Sequence, residues 1–428
     1  MRFLYLFAVY LVSPLMLLFW LVRGVRNPAY MDRLGQRFGF GVPDVGQASI
    51  WIHAVSVGEV QAAVPLIRQL IQSYPDKRLV VTTVTPTGAA RVRRVFGDTV
   101  THIYVPFETN GAVKRFFDRV RPTIAIIMET EIWPNLYNEC GVRGIPLVLA
   151  SARISPRSVG RYRRLVPLFR EALSHGIVIA AQSTSDAERF RALGAAPERT
   201  FVTGNLKFDI ESDPVHFENG RNLRQMLGEN RSIWIAASTH NGEEEVILDA
   251  HASVRATHPN ALLVLVPRHP ERFDELARLL RDRGERFVRR TAGADIGSDT
   301  AVYLCDTMGE VMSFYAACDV AFVAGSLVPI GGHNLLEPAI LGKPVLTGPH
   351  NFNSEDIAQR LSEAHACEIV DSGEALAAAV VRLFDQPTER AELGARAQDV
   401  LNQNRGALRE LLLLLAPLIT RPTVPQAT

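Results

Sequence analysis

Three ionisable residues follow apolar, strand-length runs, where a parallel sheet delivers side chains to one edge. The stretch SIWIHAVSVGEV (49–60) turns at Ser56-Val57-Gly58 into a helix that opens with Glu59. A carboxylate at a helix start is favoured in its ionised form, and Gly58 lets a substrate approach, which suits a general base within reach of a hydroxyl. The stretch IAIIMETEIWPN (124–135) delivers Glu129 and Glu131. Residues two apart in an extended segment face one side, and crowded carboxylates separate in pKa, the basis of many acid/base divisions. TGNLKFD (203–209) offers Lys207 after a further strand as a mobile point charge. Each has a structural alternative. Glu59 could serve only the helix dipole, and one of the paired glutamates could cap the helix beginning at Trp133-Pro134.

A second group has the chemistry of phosphate binding. AFVAGSLVPIGGHNLLEPAILGKPVLTGP (321–349) reads as a buried strand, a loop with Gly325, Gly331 and Gly332, a helix over 335–341 entered at His333-Asn334, and a second strand. Glycines admit a ligand to the backbone, and free N–H groups at a helix start attract an anion. Glu337, three residues after Asn334, is placed to take ribose hydroxyls, unless it only complements the dipole. Pro267 and Arg268 end another strand, where the guanidinium could contact a phosphate or base edge, and DTMGE (306–310) again runs from strand into helix. In AASTHNGEEE (236–245) the three glutamates fit a structural role in a first helical turn, while Ser238 and Thr239 could meet ligand. His53, His102 and His175 read as core or surface residues. No His/Cys/Asp/Glu group has metal-ligand spacing, so no metal and no cofactor is expected.

The elements that position these residues alternate along 428 residues, a length that favours two domains. Strand-type runs at 50–55, 79–84, 101–105, 124–128, 147–150 and 177–180 alternate with helical segments, and a second series follows at 233–236, 262–266, 301–303, 320–323 and 345–346. This is the pattern of two doubly wound α/β domains, 25–204 and 221–420, joined by a polar linker over 205–220. A net charge of +1 argues against a nucleic-acid partner. The four cysteines lack paired spacing and read as buried thiols of a reducing compartment.

Residues 3–22 carry no charge, and Arg23, Arg26, Arg33 and Arg37 follow. Twenty residues suffice for a bilayer core of roughly 30 Å, and the flanking arginines place the rest of the chain in the cytoplasm. Residues 1–24 are therefore expected to be a single membrane anchor, spanning or interfacial, with Pro14 a possible kink. The run Arg153, Arg157, Arg161, Arg163, Arg164 and Arg170, without an acid between, suits either a solvated face or the phosphates of an anionic lipid.

Taken together, HAVSVGE (53–59), TTVTPTG (82–88), METEIWPN (128–135), TGNLKFD, STH before GEE, VPRHPERF (266–273), DTMGE, GGHNLLEPA and GPHNFN (348–353) resemble, in order and spacing, the 3-deoxy-D-manno-octulosonic acid (Kdo) transferases of lipopolysaccharide synthesis. The resemblance implies a GT-B fold of two Rossmann-like domains facing a cleft, and an inverting, metal-independent glycosyltransferase. Its donor would be CMP-Kdo and its acceptor an anionic lipid A precursor at the cytoplasmic face of the inner membrane. By position it makes Glu59 the general base, with Glu129 and Lys207 as transition-state stabilisers. It makes Pro267, Arg268, Met308, Gly309, Glu310, Asn334, Leu335, Leu336 and Glu337 the CMP contacts, and Arg153, Arg157 and Arg161 suit the acceptor. The sequence departs from the family pattern at Ala324, where glycine is usual, and at Ser151, where asparagine is common. Ala324 matters only if that position needs positive φ.

Overall fold

Strands whose side chains are apolar on both faces need helices on both sides of the sheet, which right-handed parallel crossovers supply. The computed structural model describes residues 2–46, 48–154, 159–160 and 176–420 and divides into two units. The first holds the chain up to Asp209 and again from Asn404; the second is Ile210–Gln403.

In the first unit β1 (Ser49–His53), β2 (Arg78–Thr83), β3 (Thr101–Tyr104), β4 (Pro122–Met128), β5 (Leu147–Ala152), β6 (Val178–Ala181) and β7 (Thr200–Val202) form a parallel sheet ordered β3-β2-β1-β4-β5-β6-β7. The second unit repeats the plan with β8 (Ile233–Thr239), β9 (Leu262–Pro267), β10 (Phe287–Arg289), β11 (Val302–Leu304), β12 (Val320–Val323), β13 (Val345–Thr347) and β14 (Cys367–Ile369), ordered β10-β11-β9-β8-β12-β13-β14. Strand order reverses between β1 and β4 in the first sheet and between β8 and β12 in the second. Such switch points open a crevice at the carboxyl ends of the strands.

Every strand expected from sequence is present. The strand expected before Lys207 is β7, and two further ones, β10 and β14, are three-residue edge strands, too short for an apolar period to show. The region over 205–220 is more ordered than a linker. A 3-10 turn occupies Leu206–Asp209, and a helix, Pro214–Leu227, begins behind the Asp213 cap. The last helix, Ala407–Ile419, returns to the first unit rather than closing the second. Leu411, Leu415 and Ile419 are buried there with Leu206, Ile126 and Val148. The amino-terminal helix, Arg2–Arg26, runs without interruption through Pro14.

The returning helix is held by a distant carboxylate. Asp209 accepts from the Gly406 and Leu408 backbone amides at 2.7 and 2.6 Å, satisfying donors that a helix start leaves without partners. Asp209→Ala should therefore lower the unfolding free energy of the first unit by about 1–3 kcal/mol, measured by urea denaturation. An unchanged midpoint would mean that apolar packing alone keeps this helix in place.

Candidate functional site

Both switch points carry the residues that the sequence singles out. Glu129 directly follows β4, and Glu59 stands in the first turn of the helix after β1, so a carboxylate lies beyond the carboxyl end of each strand flanking the reversal. Ser56 caps the helix Val57–Ser73, and the Glu59 side chain folds back to accept from the Val55 amide at 2.8 Å and the Ser56 hydroxyl at 3.3 Å. Glu59 is thus both the acidic member of a capping arrangement and a half-buried carboxyl at a sheet edge. Burial, then the Glu129 charge, pushes its pKa up to about 8, against the pull of the Val55 amide.

Glu129 stands in the left-handed region at φ 53°, its amide bonded to the Ala150 carbonyl at 2.9 Å. Its Oε1 lies 3.0 Å from Lys207 Nζ. The lysine comes from the 3-10 turn after β7, with its amide on Asn205 Oδ1 at 3.0 Å. Lys207 and Glu129 therefore meet, as the sequence alone could not say.

Glu129 and Glu131 do crowd, since beyond the effect of burial the Glu129 charge raises the pKa of Glu131 and both charges raise that of Glu59, but an extended segment is not what brings them together. The chain is no longer extended after Met128, because Glu129 turns through positive φ, so the two-residue rule does not carry past the strand end. Glu131 instead accepts from Trp133 Nε1 at 3.1 Å, and burial raises its pKa. Neither residue caps the helix Pro134–Val142. Glu108 does, accepting from the Asn135 and Leu136 amides at 2.7 and 3.0 Å. No short-range pattern pointed to Glu108.

Ser151, at the end of β5, also has φ 53°. Asparagine tolerates this conformation better than most residues, which accounts for its being common there. The serine hydroxyl receives the Leu206 amide and Gln182 Nε2. Arg153 is half-buried, with its amide on the Thr130 hydroxyl at 3.2 Å. Arg157, Arg161, Arg163, Arg164, Arg170 and His175 lie outside the described residues. His53 is buried against Thr82, and burial lowers its pKa to about 4, a neutral core residue. His102, likewise buried, bonds Thr83.

In the second unit the glycine loop leaves β12 beside the end of β8. Gly325, Gly331 and Gly332 have φ of 72, 111 and 72°. A Cβ on Gly325 would approach His333 Cδ2 to 2.8 Å, so this glycine is required by contact as well as conformation. Ala324 is absent from the positive-φ residues and fully buried, so the usual glycine is not needed there for backbone reasons. The loop is organised by Glu243, whose buried carboxylate accepts from the amides of Gly325 at 2.7 Å and of Ser326 and Leu327 at 2.9 Å each. The structural role read for the glutamates of GEEE thus falls on a specific task. Sequence gave no sign of it, because the partner amides lie more than eighty residues away.

His333 and His240 stack with ring centroids 5.1 Å apart, their Nε2 atoms 2.9 Å from each other. Burial, reinforced by the nearby Arg268 charge, lowers His333 to about 3; burial, then His269 and Arg268, lowers His240 to about 4. Arg268 follows Pro267 at the end of β9, its amide on the Thr239 carbonyl at 3.1 Å. Among the described residues nothing hydrogen-bonds its guanidinium.

The helix after the loop is Leu336–Ile340, shorter than the sequence suggests. Asn334 Oδ1 takes the Leu336 amide at 3.2 Å and its Nδ2 approaches Glu337 Oε1 at 3.4 Å. Leu335 and Leu336 are fully buried. Met308 and Gly309 form an open turn, Gly309 at φ 93° with nothing near its Cβ position. Burial would raise Glu310, but hydrogen bonds from Arg290, at 3.0 Å, and Thr307 hold it below the ordinary carboxylate range.

If Glu243 holds the loop, Glu243→Gln turns amide hydrogens toward the loop's own N–H groups. The unfolding free energy of the second unit should fall by about 2–4 kcal/mol. The exposed neighbour, changed as Glu245→Gln, should leave it unaltered. Equal urea midpoints for the two variants would remove Glu243 from this role.

Residues 32–210 match the family model described as 3-Deoxy-D-manno-octulosonic-acid transferase (kdotransferase). The 3-deoxy-D-manno-octulosonic acid transferase of Haemophilus influenzae is 43% identical over 427 residues, covering 98% of this chain and 99% of its own length. That of Bordetella pertussis is 35% identical, covering 96% and 98%. A glycosyltransferase structure from Rickettsia africae superposes with a TM-score of 0.58 over 88% of this chain and 100% of its own, at 12% identity, a likeness of fold. The two parallel seven-stranded sheets are thus those of a GT-B glycosyltransferase, and the chain belongs to the 3-deoxy-D-manno-octulosonic acid transferase family.

Proposed function

We propose that this enzyme moves Kdo from CMP-Kdo to lipid IVA, the anionic lipid A precursor, with inversion and without a metal. The observation that carries the reading is that Glu59 and Glu129 lie just beyond the carboxyl ends of the two strands flanking the first sheet's switch point, with Lys207 on Glu129. Glu59 takes the proton of the acceptor hydroxyl. The acceptor oxygen bonds the anomeric carbon of Kdo as the bond from that carbon to the phosphate oxygen breaks. CMP leaves with the bonding electrons, and the proton ends on Glu59. Attack opposite to the leaving group inverts the anomeric centre.

Positive charge grows on the sugar and negative charge on the phosphate as that bond breaks. Glu129 offsets the first, and Lys207 and Arg268 the second, each a preorganised charge in a partly desolvated setting. The CMP moiety is assigned to Pro267, Arg268, Met308–Glu310 and Asn334–Glu337. The Arg268 guanidinium, unpaired among the described residues, the open turn at Gly309 and the carboxylate of Glu337 support that assignment. Arg153, Arg157 and Arg161 are assigned to the acceptor phosphates. The apolar amino-terminal helix attaches the enzyme to the inner membrane, with both units on the cytoplasmic side as the following arginines favour.

The test is the mass of the lipid after incubation with freshly generated CMP-Kdo and a tetraacylated, bis-phosphorylated lipid A precursor. A gain of one or more Kdo masses is expected and counts the units added. An unchanged lipid, with intact donor and folded protein, overturns the reading. Glu59→Gln should abolish the gain while CMP still binds, as measured by calorimetry.

Glu59 must lose its proton to act. Its pKa is raised to about 8, so the basic form appears only as pH climbs through that value. We expect kcat/KM to rise by roughly tenfold per unit below that point and to level off above it. A profile flat between pH 6 and 9, with wild-type turnover, would exclude Glu59 as the base.

A further inference from the structure

The segment Phe3–Val25 has the length and composition of a membrane span. Its placement on the protein points elsewhere. One stripe of the helix, made by Tyr5, Val9, Ser13, Leu17, Trp20 and Gly24, is covered or half-covered at steps of three and four, from first turn to last. Near one end Tyr5 Oη donates to Glu108 Oε2 at 2.7 Å. Toward the other, the Arg37 guanidinium lies 3.8 Å from the centroid of the buried Trp20 ring. The two contacts are about 22 Å apart along the helix at 1.5 Å per residue. Their partners are neighbours in the first unit, since the Phe107 amide donates to the Arg37 carbonyl at 2.7 Å. The helix therefore lies along its domain instead of leading away from it.

A spanning orientation would have to carry Tyr5 across roughly 30 Å of hydrocarbon. It would either break the bond to Glu108 or draw that carboxylate, with the helix start it caps, into the bilayer. The face away from the domain is where lipid fits. Phe7, Leu11, Leu15, Leu18 and Val22 are each more than half exposed, and Val25 is 87% exposed. Of the side chains with a polar atom over residues 3–25, Tyr5, Ser13 and Trp20 sit on the covered stripe, leaving Tyr10 and, at the carboxyl end, Arg23 outside it. So long an apolar face is not carried in water without a partner. At its carboxyl end Arg23, exposed and resting on Phe19 and Tyr30, stands where anionic headgroups would lie.

We propose that this helix lies in the plane of the membrane, its stripe on the first unit and its apolar face in the hydrocarbon of one leaflet. The protein is then held on one side of the bilayer without crossing it. The inference rests on the membrane attachment proposed above and adds its topology. It also bears on the acceptor. Glu108 holds both Tyr5 and the start of the helix Pro134–Val142, which begins just after Glu129 and Glu131. The leaflet contact is thereby fastened to the segment bearing the candidate catalytic carboxylate, so a lipid acceptor would arrive by lateral diffusion within that leaflet.

The four native cysteines are buried. Full-length Phe3→Cys and Val142→Cys proteins, each with an exposed position changed, are treated with a membrane-impermeant maleimide in intact spheroplasts and in inverted inner-membrane vesicles. The in-plane helix predicts labelling of both in inverted vesicles and of neither in spheroplasts. Labelling of membrane-bound Phe3→Cys in spheroplasts overturns the topology alone. Recovery of the full chain in the soluble fraction overturns the attachment reading and this one with it. If position 3 stays silent from both sides, a photo-crosslinking residue at Ser13 decides. Coupling to the chain's own first unit supports the proposal, and coupling to lipid alone overturns it.

Discussion

The constraint on which both units depend is the need to satisfy backbone amides where parallel strands end. A ladder stops at the last strand residue, and the turn into the next helix carries N–H groups that neither element can pair. In this protein carboxylates meet that need again and again. Glu59 takes the Val55 amide, Glu108 those of Asn135 and Leu136, and Asp186 that of Ile154; Asp209 does the same between two helices, taking those of Gly406 and Leu408. Glu243 takes three in succession from the glycine loop. A charged acceptor makes a stronger hydrogen bond than a neutral one, and one left without its donors in a buried site is costly. The loops at the sheet edges are therefore fixed in place by groups that resist removal.

The same device separates structural from chemical carboxylates. Glu243 and Glu108 have their oxygens occupied by backbone donors, and no acceptor capacity is directed at a substrate. Glu59 has a single amide and a weak hydroxyl contact, and its pKa is pushed upward. Glu129 carries no backbone amide on its side chain and instead pairs with Lys207. Glu310 is neutralised by Arg290. The groups suited to proton transfer or charge stabilisation are those for which the fold leaves hydrogen-bonding capacity over.

Much of this was legible in the chain. Uniform apolar runs marked the central strands because both faces of a parallel sheet are buried, and chemistry-bearing residues could be placed just after them. Glu129 and Arg268 directly follow strands, and Glu59 and Lys207 stand in the first turn beyond theirs. What stayed hidden depends on long-range pairing or on a change of backbone conformation. The Asp209 cap closes over 197 residues and reassigns a whole helix to the first unit. The turn at Glu129 removes the extended geometry from which its crowding with Glu131 was inferred, since a strand period holds only while the strand lasts. Three-residue edge strands leave no period to read. Gly309, one of the positions taken to bind donor, has only backbone to offer, which side-chain chemistry does not reveal.

Left-handed residues at strand ends connect these observations. Glu129, Ser151 and Ser238 each close a strand at positive φ without being glycine. Such a conformation costs about 1 kcal/mol or more and persists where surrounding bonds determine it. The amide of Glu129 is bound to Ala150 and its carboxylate to Lys207; the hydroxyl of Ser151 holds the Leu206 amide, one residue before that lysine. The strained ends of β4 and β5 thus fix the turn that presents Lys207 as well as the glutamate it meets. A change at Ser151 that disturbed its φ would reach the ion pair through Leu206 without touching either charged group. The first unit's site is accordingly a property of two strand ends and one turn held together, in which the charged side chains are the last members of a chain of backbone contacts.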